Sequence, residues 1–308
     1  MQCALALLIV LFAAVAARAE APKVVVSIKP LHALVGAAME GIGQPRLLVP
    51  PAASEHSFSL RPSDARALQS ADLAFWVGPE LESFLAKSIR AAPRRVRVVS
   101  LAAAPGMELL ALREGGAWEA HEHEHDKAKG GPVGEEQDMH LWLDPANAAR
   151  IVAVAAAALA EADPANAARY AENAGRAQQA ISALDAELAA TLAPVRARPF
   201  IVFHDAYQYL ERRYGLNAVG SVTVSPERKP SARRMHEIRG KIVRAEAACV
   251  FSEPQFDEGL VRAAVGGTSA RTAALDHLGV GAPDGLAGYA QMMRGLARTL
   301  ADCLAPPR

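Results

Sequence analysis

Aromatic residues are scarce. Phe, Trp and Tyr make up 5% of the 308-residue chain, too few for the stacking platforms that bind single-stranded nucleic acid. An excess of charge is missing as well, since 33 Lys plus Arg balance 33 Asp plus Glu for a formal net charge of +0. Nucleic-acid binders gain affinity by neutralising phosphates, so a neutral chain is not read as one. Cysteine occurs three times and never as C-x-x-C, so no cysteine metal site is expected. What is abundant is apolar. With 51% hydrophobic and 21% charged residues, the chain can fill one large domain or two ordinary ones, which excludes a disordered or fibrous protein.

Long apolar runs are confined to the start of the chain. Residues 4–17, ALALLIVLFAAVAA, are short for a membrane span. Ala17-Arg18-Ala19 then offers a small-x-small cleavage site, leaving Glu20 as the new N-terminus. Residues 1–19 therefore read as a secretory signal peptide. The alternative is a short N-terminal anchor, because no Lys or Arg precedes the run. No later segment reads as a membrane span, and an exported, soluble mature protein is expected. Cys3 would leave with the leader. The two remaining cysteines, Cys249 and Cys303, suggest one disulfide in an exported chain, the alternative being two buried thiols.

Short β-rich runs alternate with Ala- and Leu-rich stretches. Strands are expected at Lys23–Ile28, Leu47–Val49, Leu73–Val77 and Val96–Leu101, then at Phe200–Phe203, Val219–Val224 and Cys249–Ser252. Such alternation predicts an α/β protein with parallel sheets covered by helices. The heptapeptide Asp144-Pro-Ala-Asn-Ala-Ala-Arg150 recurs at Asp163–Arg169. Each copy places Asp as N-cap and Pro in the first helical turn. A helix from Pro164 to about Leu192 would span about 43 Å and join the two strand sets as a stiff rod. The expected order is an N-terminal α/β lobe over 20–162, a linking helix over 163–193 and a C-terminal α/β lobe over 194–308. Residues 115–137 are polar and Gly-rich and read as a solvated loop.

Nine histidines are present. His121, His123 and His125 lie in the polar loop, where they match H-E-x-x-H literally. That motif makes a metalloprotease only on a rigid helix, and here glycines flank it. A weak chelating tract is the functional reading, a plain solvated acidic loop the alternative. His56, His140 and His204 fall near strand ends or helix starts, the edge where open α/β sheets bind ligands. Two come from the first lobe and one from the second, so an ion held by all three would lie between the lobes. Taken singly, each is equally a partly buried histidine bonded to backbone. His32, His236 and His277 receive only that second reading.

The string Ser54-Glu-His-Ser-Phe-Ser-Leu-Arg-Pro-Ser-Asp-Ala65, with Ala71–Pro79, resembles the metal-binding receptors of zinc and manganese ABC importers. Asp138-Met-His-Leu-Trp-Leu-Asp-Pro145, Phe203-His-Asp-Ala-Tyr207 and Phe251-Ser-Glu-Pro-Gln-Phe256 carry the same resemblance. The leader, the His-rich loop and the cysteine pair are similar to the zinc branch, the ZnuA-like proteins. The resemblance covers nearly the whole mature chain. It implies two α/β lobes bridged by a long helix, with His56, His140 and His204 as metal ligands and Glu55 completing the site. It also implies a Cys249–Cys303 disulfide tying the last helix to the second lobe. Asp276 resembles the aspartate that other branches use, so Glu55, Asp276 and water compete for the fourth position. Glu55 or water is favoured, and His277 replaces the family's usual small residue or Pro after Asp276.

Imidazole suits Zn²⁺, whereas Mn²⁺ prefers carboxylate oxygen. Three histidines and one oxygen make a tetrahedral zinc site. His204 stands where manganese-binding relatives often carry glutamate, which favours zinc. Asp205 and Asp144 are the expected acceptors for the other ring nitrogens. The basic stretch from Arg228 to Arg244 reads as a solvated helix face or as a docking surface. The function implied is a non-catalytic, monomeric periplasmic receptor that delivers Zn²⁺ to an ABC permease. A Mn²⁺ or Fe²⁺ receptor and a secreted His₃ zinc hydrolase are the alternatives.

Overall fold

A computed structural model describes residues 20–113, 136–223, 226 and 230–306. The expected signal peptide at 1–19 and the tract containing His121, His123 and His125 lie outside the described residues. The chain runs β1 (Val24–Val26), α1 (Lys29–Ala38), β2 (Arg46–Leu47), α2 (Pro62–Ser70), β3 (Leu73–Trp76), α3 (Ser83–Arg90) and β4 (Arg97–Ser100). A small hairpin of β5 (Leu110–Ala111) and β6 (Gln137–Asp138) follows, then α4 (Pro145–Ala162) and α5 (Ala167–Leu192). The second half contains β7 (Pro199–Val202), α6 (Gln208–Tyr214), β8 (Asn217–Ser221), α7 (Ala232–Arg244) and β9 (Cys249–Ser252). It ends with α8 (Glu258–Val265), β10 (Arg271–Ala274) and α9 (Leu286–Leu304).

Two parallel four-stranded sheets result, in the orders β2-β1-β3-β4 and β10-β9-β7-β8. This is the expected α/β architecture. The central strands β1, β3 and β9 are buried along their whole length, as strands covered on both faces must be. The sequence reading missed β10. Its residues Arg-Thr-Ala-Ala are mostly exposed and lack an apolar run, because an edge strand buries little. It also missed β5 and β6, which are two residues each.

The linking helix α5 has 26 residues, about 39 Å of helix. The two copies of the repeat start their helices differently. Asp144 caps α4 by accepting from the Ala146 amide at 2.9 Å. Asp163 instead accepts from Asn166 Nδ2 at 2.7 Å and from Tyr170 OH at 2.9 Å, and a 3₁₀ turn over Pro164–Asn166 precedes α5. The residue after the repeat decides this: Ile151 offers no donor in the first copy, while Tyr170 does in the second.

Helix α5 is more than a spacer. Helices α1, α4, α5 and α9 pack on one another, and one continuous hydrophobic cluster runs from Val24 in the first sheet to Leu304 at the end of α9. Smaller clusters lie beneath the outer faces of each sheet. Contrary to the sequence reading, α4 is apolar enough over its 18 residues to qualify by composition as a membrane span. Half of it is buried against this cluster, the mark of a core helix.

Cys249 opens β9 and Cys303 lies in the last turn of α9; they form a disulfide with Cα atoms 6.2 Å apart. The bond closes a 54-residue separation, for which chain entropy gives about 4 kcal/mol. The Cys249→Ala/Cys303→Ala variant is expected to lose stability of that order in urea denaturation. A loss below about 1 kcal/mol would show that the packing of α9 alone suffices.

Candidate metal centre

In parallel sheets the carboxyl ends of the strands share one edge. On the second sheet the neighbouring strands β7, β9 and β10 deliver His204, Glu253 and His277 just beyond that edge. The first half adds Glu55 and His56 from the loop after β2, and His140 from the turn after β6. Side chains distant in sequence thereby converge between the two halves.

The ligand atoms of Glu55, His56, His140 and His204 all lie within 4.8 Å of one another. His140 Nε2 and His204 Nε2 are 3.3 Å apart. Glu55 Oε1 is 3.6 Å from His56 Nε2 and 3.6 Å from His140 Nε2. A tetrahedral zinc ion bound at 2.0–2.1 Å sets its ligand atoms about 3.3 Å apart, so the spacings fit such an ion. His56 Nε2 is buried with no hydrogen-bond partner among the described residues, the state of a polar atom whose partner is absent. Glu55, His140 and His204 are buried, while the His56 side chain retains 24% exposure and faces the way out.

Supporting contacts fix the rings. Asp138 Oδ1 faces His140 Nδ1 at 2.8 Å and accepts the His140 amide at 2.9 Å. Glu253 faces His204 Nδ1 at 2.7 and 2.9 Å. With Nδ1 turned to these carboxylates, each ring presents its Nε2 to the cluster, the two Nε2 atoms 3.3 Å apart. The sequence reading named Asp144 and Asp205 for this work, and both are engaged elsewhere. Asp144 caps α4. Asp205 pairs with Arg113, which also binds Glu211 at 2.6 Å and so clasps the β5–β6 hairpin to the second half. Tyr209 adds to that clasp, accepting from the Leu110 amide at 3.1 Å and donating to the Asp138 carbonyl at 2.7 Å.

Two further expectations change. Asp276 spends its carboxylate on the amides of Leu278, Gly279 and Val280, at 3.3, 2.9 and 2.6 Å, and so pins its own loop. His277, read from sequence as bonded to backbone, is fully buried and places Nε2 2.6 Å from Glu55 Oε1. Its departure from the usual residue after Asp276 was the signal that could have found it. His32 does keep the backbone reading, with Nε2 2.9 Å from the Pro45 carbonyl. His236 is exposed on α7. The basic helix α7 is not wholly a solvated face, because Arg234 is buried and donates to the Ser221 carbonyl at 2.8 Å.

Electrostatics sharpen the cluster. Burial alone pushes the Glu55 carboxyl up, but His277, His56 and the hydrogen bonds of His140 and His277 hold it well below the usual carboxylate range. Burial pushes His56 down to about 3 against the pull of Glu55, with the neighbouring imidazoles adding to the fall. Burial also opposes the charged form of His140, but Asp138 and Glu55 outweigh it and raise this ring to about 10. The centre therefore keeps one ionised carboxylate beside a neutral His56.

The family model described as "Zinc-uptake complex component A periplasmic" matches residues 24–303. The chain belongs to that family. Among its relatives in this zinc-uptake component family, the "High-affinity zinc uptake system protein ZnuA" of Brucella abortus is 46% identical, over 92% of this chain and 92% of the relative. The protein of the same name from Paracoccus denitrificans is 40% identical, over 95% and 94%. A crystal structure of ZnuA superposes with a TM-score of 0.79 at 24% identity, covering 93% of this chain and 100% of that one. The periplasmic zinc-binding protein TroA from Treponema pallidum gives 0.78 at 22%, covering 93% and 100%. At these identities the structures establish the fold.

The Asp138 and Glu253 contacts yield a direct test. Asp138→Ala or Glu253→Ala frees one ring to reorient and is expected to weaken metal binding about 10- to 100-fold. Competition against a chromophoric chelator measures the change, and an unaltered affinity would remove these residues from the site.

Proposed function

We propose that this chain is a periplasmic receptor that captures Zn²⁺ between its two lobes and passes it to an ABC permease. The ligands are His56, His140, His204 and Glu55. One observation supports the reading: one ligand atom from each of three imidazoles and one carboxylate lie within 4.8 Å of one another, with three of the pairs at 3.3, 3.6 and 3.6 Å, close to the spacing that a tetrahedral ion asks for. Glu55 is favoured over Asp276 because the Asp276 oxygens are held by three backbone amides. The imidazole majority favours zinc over manganese or iron.

Binding without catalysis follows from the same count. A catalytic zinc keeps a position for water, and Glu55 as fourth ligand would fill it. Export is supported by the apolar N-terminal run with its small-x-small site, by the periplasmic family and by a disulfide. The relatives' name, a zinc uptake system protein, supports a permease as the recipient.

Metal analysis of the mature protein is expected to find one tightly bound zinc per chain, lost in His140→Ala. Manganese in place of zinc, or zinc retained by His140→Ala, would overturn the reading. Zinc-loaded protein should hydrolyse esters and peptides no faster than apo protein.

Acid should release the metal. His140 carries a proton in the apo site because Asp138 and Glu55 raise it to about 10, and zinc must displace that proton. His56, already neutral, contributes none near pH 7. Calorimetry in buffers of different ionisation enthalpy is expected to show net proton release on zinc binding at pH 7, with affinity falling as pH is lowered. Affinity independent of pH between 5 and 8 would contradict this.

A further inference from the structure

We infer that His277 holds Glu55 as a one-oxygen donor, which keeps the cage four-coordinate and disfavours ions that demand more oxygen. This rests on the ligand set proposed above. His277 does not touch the ion; it is a positioning residue acting through Glu55.

The geometry is specific. His277 Nε2 donates to Glu55 Oε1 at 2.6 Å, and the same oxygen stands 3.6 Å from His56 Nε2 and from His140 Nε2. A carboxylate oxygen has two lone-pair sites. One is taken by His277 and the other faces the cage, while Oε2 is buried without a hydrogen-bond partner among the described residues. Chelation through both oxygens would require the carboxyl group to rotate, drawing Oε1 from His277. That rotation would break a charge-assisted hydrogen bond in a dry interior, where such bonds are strong.

The imidazole cannot follow the carboxylate. Its backbone carbonyl accepts the Trp142 indole N–H at 2.9 Å, and the Trp142 ring lies nearly parallel to it, 21° between planes. Tyr207 OH approaches Nδ1 at 3.4 Å, and is itself held near the Leu275 carbonyl at 3.3 Å and Glu253 at 3.3 Å. Asp276 locks the loop beyond. His277 is thus anchored from both sides of the interface, through Trp142 from the first half and Tyr207 from the second. Zinc accepts four donors in a tetrahedron, whereas manganese favours six oxygen-rich ones. A carboxylate confined to one oxygen serves the first and starves the second.

The test uses the full mature chain with Zn²⁺, Mn²⁺ and Co²⁺ as probes. Visible absorption of the Co²⁺ form distinguishes four-coordinate from higher-coordinate ions. His277→Ala is expected to weaken Zn²⁺ about 10- to 100-fold, to narrow the Zn²⁺/Mn²⁺ affinity ratio and to weaken the tetrahedral Co²⁺ band. His277→Gln, which keeps an N–H donor, is expected to restore the band, and His277→Asn, whose donor falls short, to behave as Ala does. In a Glu55→Ala background, His277→Ala should change Zn²⁺ affinity less than about twofold, since contacting residues are coupled. An unchanged Co²⁺ band and metal ratio in His277→Ala would overturn the inference, as would an equal loss in the Glu55→Ala background. For a His277→Ala chain that fails to fold, the Gln and Asn pair supplies the same comparison. A wild-type chain lacking a tetrahedral Co²⁺ band, or a Glu55→Ala chain with wild-type affinity, would instead defeat the ligand set itself.

Discussion

A carboxylate with no exposure to water is costly unless charges and donors surround it. Glu55 is such a group, and the centre is built around that demand. His277 donates to it, while His56 and His140 flank it. Those rings then need their own partners, which Asp138 and Glu253 provide for His140 and His204. Outward from these groups, Tyr207 reaches Glu253 and the Leu275 carbonyl, and Trp142 donates to the His277 carbonyl. A cation proposed for this centre would meet an already ionised carboxylate.

The frame matches that precision. Two parallel sheets present their carboxyl edges to the interface, and a shared helical core keeps the edges in register. Close-packed interiors resist continuous deformation. A hinge between the halves would have to part α1 from α9 and α4 from α5, exposing apolar surface at about 25 cal/mol per Å². The molecule is therefore better suited to local loop movement than to wide opening.

Much of this was legible in the sequence. Buried central strands gave apolar runs, and α5 gave an unbroken Ala- and Leu-rich stretch after an Asp-Pro start. His56, His140 and His204, which the structure brings together, stood out by their positions near strand ends or helix starts, and they and Glu55 by the resemblance that the surrounding motifs carry. What stayed hidden was of two kinds. Edge elements such as β10 and the β5–β6 hairpin bury little and so leave no apolar signature. The hydrogen-bond partners of the rings come from anywhere the fold brings near. Asp205 adjoins His204, yet Glu253 from a distant strand end meets that ring, whereas His140 is met by Asp138, which is nearer along the chain than Asp144. The second copy of the repeat shows the same limit, since one tyrosine redirected Asp163 from a backbone cap to a side-chain bond.

The unequal wrapping of the four donors has a consequence for handover. His56 alone keeps part of its ring toward solvent, and it hangs from a loop rather than a strand end. With these four groups as ligands, a donor from another molecule would approach most readily beside His56, the least buried of them. Exchange beginning at this single imidazole would leave three donors in place, so cargo could change owners without being set free in water.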